Sequence, residues 1–119
     1  KKICFLGVTF KANTDDMRDS SSLEMIPHLS KQGAKIKYYD PTGYKDEFKK
    51  IKNVNFSNSI SDAVKSAYWV ILHTEWNDFK SINFKKLHPS TNLKIYDMRN
   101  IFSSGKIKSQ GFKYFGIGR

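Results

Sequence analysis

Lys1-Lys2-Ile3-Cys4-Phe5-Leu6-Gly7-Val8 opens the chain as a charged pair followed by an unbroken apolar run. A short run of this kind suits a strand covered on both faces, as in a parallel sheet. Working outward, Thr9 to Asp19 is polar and turn-rich. Ser21 and Glu24 are then spaced as a capping box, and Leu23, Ile26 and Leu29 continue at helical spacing. Gly33 is a stop signal, and Pro27 inside the segment predicts a kink. Ala34 to Asp40 reads as a second strand, ended by Asp40-Pro41. A short helix is expected over Gly43 to Lys52, and a brief third strand over Val54-Asn55-Phe56. Ser59 or Ser61 caps a helix running to Ala67, with Asp62 in its first turn. Tyr68 to His73 is the most β-prone segment of the chain. Thr74 to Lys80 reads as a loop with a helical turn, and Phe84 to Leu87 as another turn. Leu93 to Asp97 is a fifth strand, Ser103 to Gln110 a helix, and Phe112 to Phe115 a last strand.

Strands alternating with helices at this spacing make βαβ units with right-handed crossovers. The expected fold class is α/β, a Rossmann-like three-layer sandwich. Its six-stranded, mainly parallel sheet is expected in the order 3-2-1-4-5-6. Ligands in such a sheet bind beyond the carboxyl ends of the strands, near the switch between the first and fourth. The segments predicted there are Thr9–Asp19, Thr74–Asp78 and Met98-Arg99-Asn100.

Composition agrees with one globular domain. The chain has 119 residues, 39% hydrophobic and 27% charged, which is not the balance of a disordered segment. Folding a chain of this size buries roughly two-thirds of its unfolded surface. No apolar run approaches the roughly 18 residues that span a membrane, and no signal segment opens the chain. Cys4 is the single cysteine, so no disulfide can form within the chain. These features together predict a cytoplasmic, soluble domain or fragment, with no membrane partner.

The formal charge is +10, from 21 Lys and Arg against 11 Asp and Glu. A polyanion partner is one reading of such a balance. Yet only Arg18, Arg99 and Arg119 are arginines, and the lysines are scattered. Readers of bases and phosphates lean on Arg, whose planar fork grips in two places. Scattered lysine is the pattern of a solvated surface. Two of the three arginines fall at the predicted strand ends, where position makes them informative.

A dinucleotide site would show Gly-x-Gly-x-x-Gly after the first strand, where backbone approaches a pyrophosphate. Only Gly7 is present there, so the outline lacks the fingerprint. Lys11 sits just past the strand end, either as an exposed loop lysine or as a cation for a phosphate. Arg18 stands among Asp15, Asp16 and Asp19. It forms either a local ion pair or an anion-binding group held by those carboxylates. Arg99 must find water, a ligand or Asp97 on leaving its buried strand. Thr74 to Phe79 places the acid Glu75 and the aromatics Trp76 and Phe79 at the mouth of the crevice, where the two rings serve either the site or the core or an interface as anchors. Cys4 lies inside a strand, where a buried inert thiol is expected. His28, His73 and His88 have no ligand spacing, so no metal is assigned. No residue reads as a catalyst.

The stretch from Gly7 to Ser20 resembles the G-x-x-F-K-x-x-T-D-D-x-R-x-S signature of the C-terminal domain of UDP-glucose/GDP-mannose dehydrogenases. Tyr39-Asp40-Pro41, Thr74-Glu75-Trp76, Asp97-Met98-Arg99-Asn100 and Gly116-Ile117-Gly118-Arg119 extend the resemblance across the chain. The Thr-Glu-Trp and closing segments look most like the UDP-glucose 6-dehydrogenases of that family. The resemblance implies an oxidoreductase that takes the sugar's C6 alcohol to a carboxylate in two hydride transfers, consuming two NAD. It further implies an N-terminal domain that holds NAD, a helical middle that makes a homodimer, and a C-terminal domain that holds the UDP end of UDP-glucose. This chain corresponds to that last domain over residues 1–119, a fragment of the larger enzyme. The family's Gly-x-Cys-x-Pro-Lys-Asp thiol segment is absent, and Cys4 does not match it. By motif position Phe10, Lys11 and Arg99 resemble the substrate-binding residues. Arg18 resembles the arginine that reaches the NAD pyrophosphate held by the other domain. The competing expectation is a basic nucleic-acid-binding module, which predicts a continuous basic stripe with exposed aromatics along it.

Overall fold

The computed structural model describes residues 1–117 apart from Pro89 and Thr91. Gly118 and Arg119 of the closing motif lie outside the described residues. Six strands form one sheet: β1 (Lys2–Leu6), β2 (Lys35–Tyr39), β3 (Val54–Phe56), β4 (Trp69–Leu72), β5 (Lys94–Asp97) and β6 (Lys113–Gly116). Their order is β3-β2-β1-β4-β5-β6, as the sequence predicts, and every pairing is parallel. Ile3 to Leu6 are all buried, because β1 sits at the centre with β2 and β4 on its two sides. Alternate residues feed two cores. Cys4, Leu6, Val70, Leu72 and Ile95 face one, which includes Ala63, Val64, Phe79, Phe84 and Ile107 of the helices on that side. Phe5, Ile36, Tyr38 and Ile71 face the other, with Ile26 of the first helix.

That helix, α1 (Ser22–Lys31), runs on through Pro27. The expected capping box does not form. Ser21 is already helical, and its hydroxyl contacts the buried ring of His73 at 2.8 Å. Ser20 partly takes over, accepting from the Ser22 N–H at 3.3 Å. The helix expected over 43–52 shrinks to a single 3-10 turn, Asp46–Phe48. Two anchors explain this. The Tyr38 hydroxyl accepts from the Lys45 N–H at 2.8 Å, holding Lys45 extended, and Phe48 packs on the Tyr38 ring.

Downstream, α2 (Ile60–Val64) is capped by Ser59, whose hydroxyl accepts from the Asp62 N–H at 3.0 Å. It stops short of Ala67. Two single turns, α3 (Asn77–Lys80) and α4 (Phe84–Leu87), and then α5 (Ser104–Ser109) complete that layer. Among the described residues no helix is long and apolar enough to cross a membrane.

Candidate functional site

The site begins at the switch between β1 and β4. Gly7 has a φ of +80°, and a Cβ there would stand 2.6 Å from the Thr74 Cβ. The glycine therefore serves close approach of two strand ends rather than a pyrophosphate cradle. Beyond it the chain is pinned by buried polar groups. Asp40, at the end of β2, accepts from the Val8 N–H at 2.8 Å. The hydroxyls of Ser20 and Ser22 both donate to the Val8 carbonyl at 2.6 Å. Thr74 donates to the Thr9 carbonyl at 2.9 Å, and the Thr9 hydroxyl donates to the Lys11 carbonyl at 3.0 Å. A polar, turn-rich loop is thus held rigidly, with Phe10 and Lys11 left exposed at its tip.

On the other side, Asp97 is wholly buried at the end of β5. One carboxylate oxygen accepts from the Arg99 N–H at 3.2 Å. The other accepts from the Phe102 N–H at 2.9 Å and the Tyr114 hydroxyl at 2.7 Å. Asp97 therefore fixes the Arg99 backbone and makes no ion pair with its side chain. The Arg99 Nε donates to the His73 carbonyl at 3.0 Å. Its two terminal amino groups have no partner among the described residues.

Phe10, Lys11 and Arg99 line one groove of about 510 Å³, together with Ala12, Asn13, Glu75, Asn77 and Lys80. The three residues expected to meet a substrate come together there, at the carboxyl ends of β1, β4 and β5. Three cations face one acid in it, and Lys80 lies 3.9 Å from the Glu75 carboxylate. A groove with that balance suits a ligand of more than one negative charge, bound through charge-assisted hydrogen bonds.

Arg18 does not line this groove. Its Nε and Nη2 grip Asp16 at 3.0–3.3 Å, and its side chain is 88% exposed. Hydrogen bonds from the Arg18 side chain, then from its backbone N–H, hold the Asp16 carboxyl down to about 2. The local ion pair is therefore real, and it presents the guanidinium outward with Nη1 free of partners among the described residues.

The remaining sequence candidates fall into the core. Trp76 and Phe79 are buried anchors. Cys4 is fully buried, and burial pushes its thiol far above the ordinary range, so no thiolate nucleophile forms there. Among the described residues no three His, Cys, Asp or Glu gather to hold a metal. The exposed aromatics do not form a stripe. Phe10 is in the groove, Tyr68 at the opposite end of the sheet, Tyr44 packs on Phe56 at the β3 edge, and Phe115 is on the β6 edge.

His73 is the residue that sequence reasoning missed. It is fully buried between Ser21 and Thr74, and burial together with the Arg99 charge lowers its pKa from 6.5 to about 4. The folded state thus resists a proton that the unfolded chain accepts. Stability is fully present above pH 6.5 and is lost as pH falls toward 4, by up to about 3 kcal/mol. Denaturant midpoints from pH 7 to pH 4 should show this slope, and His73→Val should flatten it. An unchanged slope in the variant would contradict the assignment.

The model of the UDP-glucose/GDP-mannose dehydrogenase family, UDP binding domain, matches residues 4–104. The chain belongs to this family. A UDP-glucose 6-dehydrogenase of Rhizobium meliloti is 36% identical over 119 residues, covering 99% of this chain and 27% of the relative. Another of Rickettsia felis is 34% identical over 121 residues, again with 99% of this chain and 27% of the relative. The chain thus spans about a quarter of the length of these curated relatives. Among solved structures, the NDP-N-acetyl-D-galactosaminuronic acid dehydrogenase of Methanosarcina mazei superposes with a TM-score of 0.84 at 27% identity. That superposition covers 99% of this chain and 24% of that one. All three of the groove's expected substrate residues, and Arg18, fall inside the matched span.

Proposed function

We propose that this chain is the UDP-holding domain of an NAD-dependent UDP-glucose 6-dehydrogenase of the cytoplasm. Lys11 and Arg99 take the diphosphate, and Phe10 packs against the nucleotide. The observation that carries this reading is the convergence of those three side chains on one cationic groove at the carboxyl ends of the strands. Arg99 is well suited to a phosphate, because its Nε is spent on the His73 carbonyl and both Nη groups remain to donate in parallel.

The fit to NAD is narrower. Gly7 packs on Thr74, and no glycine-rich turn offers backbone to a pyrophosphate, so this chain does not itself cradle the cofactor. Arg18 fits as a single contact from the rim, aimed outward and braced by Asp16. NAD, bound by the remainder of the parent, accepts the hydrides. Arg18→Ala in the full-length enzyme should then raise the Michaelis constant for NAD more than that for UDP-glucose. The reverse order would show that Arg18 meets the sugar nucleotide.

The reading is tested by assaying the full-length parent with UDP-glucose, a UDP-N-acetyl sugar and GDP-mannose, following reduced cofactor. Preference for UDP-glucose is expected. Preference for another sugar nucleotide would reassign the substrate, and turnover of none would overturn the reading.

A further inference from the structure

His73 does not line the groove, yet it is bonded to the elements that carry both of the groove's phosphate-binding cations. Its ring sits between the Ser21 hydroxyl, 2.8 Å from Nε2, and the Thr74 hydroxyl, 3.0 Å from Nδ1. The roles follow from the far end of the chain of bonds. The Thr74 hydroxyl gives its proton to the Thr9 carbonyl, so it must accept from His73, whose Nδ1 carries the hydrogen. Nε2 is then the acceptor, and Ser21 donates to it. One unbroken relay, Ser21 to His73 to Thr74 to Thr9, ties the start of α1 to the loop bearing Phe10 and Lys11. The same residue's carbonyl receives the Arg99 Nε at 3.0 Å. The peptide unit that carries this carbonyl is held as well, since its Thr74 N–H donates to the Leu6 carbonyl at 3.4 Å.

We propose that His73 is the positioning residue of the groove, setting the spacing between Lys11 and Arg99 for the two phosphates of the ligand. The inference rests on the reading of the groove as the seat of UDP. Sites that grip a ligand in several places lose affinity when the supporting shell lets a first contact drift.

The test uses the full-length enzyme. His73→Val removes both ring nitrogens. His73→Asn keeps a donor near Nδ1 for Thr74 and gives up the link to Ser21. Ser21→Ala cuts the link to α1 alone. His73→Val should raise the Michaelis constant for UDP-glucose roughly tenfold, the low end of what loss of a ligand's outer partner costs in metal sites. The Michaelis constant for NAD should move less than about twofold. His73→Asn should restore most of the loss, and Ser21→Ala should lower melting while leaving the UDP-glucose constant in place. Thr74→Val breaks the relay with His73 intact, and it should repeat the His73→Val effect if that variant folds poorly. The inference is overturned if Thr74→Val leaves the UDP-glucose constant unchanged, or if Asn rescues no better than Val. Should Arg99→Ala also leave UDP-glucose binding untouched, the reading of the groove fails instead.

Discussion

Asp97→Ala is expected to destabilise the fold by on the order of 3 kcal/mol, since it takes the acceptor from one buried and one partly buried backbone donor, at about 1–3 kcal/mol for the buried one, and removes a packed side chain. The donors are the N–H groups of Arg99 and Phe102, at 3.2 and 2.9 Å from the carboxylate. Tyr114 keeps its bond to the Phe102 carbonyl, so its hydroxyl is not the main loss. Asp97→Asn should be only partly better. Its amide can accept at one position but meets a donor with a donor at the other. Chemical denaturation of the two variants beside the wild type measures this. A loss under about 1 kcal/mol for Asp97→Ala would mean that the carboxylate does not organise the end of β5.

Arg99→Ala separates binding from stability in the opposite sense. The side chain is exposed, has no carboxylate partner among the described residues, and makes one bond to a carbonyl. Melting should therefore hardly change. UDP-glucose binding should weaken by roughly 1.5–3 kcal/mol, the range for a hydrogen bond to a charged group. Calorimetric titration and thermal melting of the full-length variant decide the matter together. Unchanged affinity would remove Arg99 from the site, and a large fall in melting with normal affinity would make it structural.

The sheet was legible because its strands are short apolar runs separated by helix-start and turn residues. Val54–Phe56 and Phe84–Leu87 even fall on the residues predicted. Local pattern failed where tertiary contacts override it. Ser21 has the spacing of a cap, but the buried His73 ring claims its hydroxyl. The 43–52 segment has helical composition, but Tyr38 holds Lys45 extended from a strand away in sequence. Lys11 and Arg99 could be placed at one edge from topology alone, because parallel strands bring their carboxyl ends together, whereas Phe10 was marked only by the motif. The relay through His73 could not be placed from topology, since it joins residues 52 apart through a side chain with no spacing motif. Asp40 carried a usable signal. The reasoning applied to Arg99, that a charged group leaving a buried strand needs a partner, fits it equally, and its partners include the Val8 N–H.

If the groove at the carboxyl ends of β1, β4 and β5 holds UDP, titrating UDP into the isotope-labelled chain and following amide chemical shifts will map it there. Saturable shifts are expected at Phe10 to Asn13, at Glu75 to Lys80 and at Arg99, with the opposite end of the sheet around Tyr68, Lys94 and Lys113 unmoved. Shifts concentrated at that opposite end, or a response to single-stranded DNA but none to UDP, would contradict UDP binding in the groove.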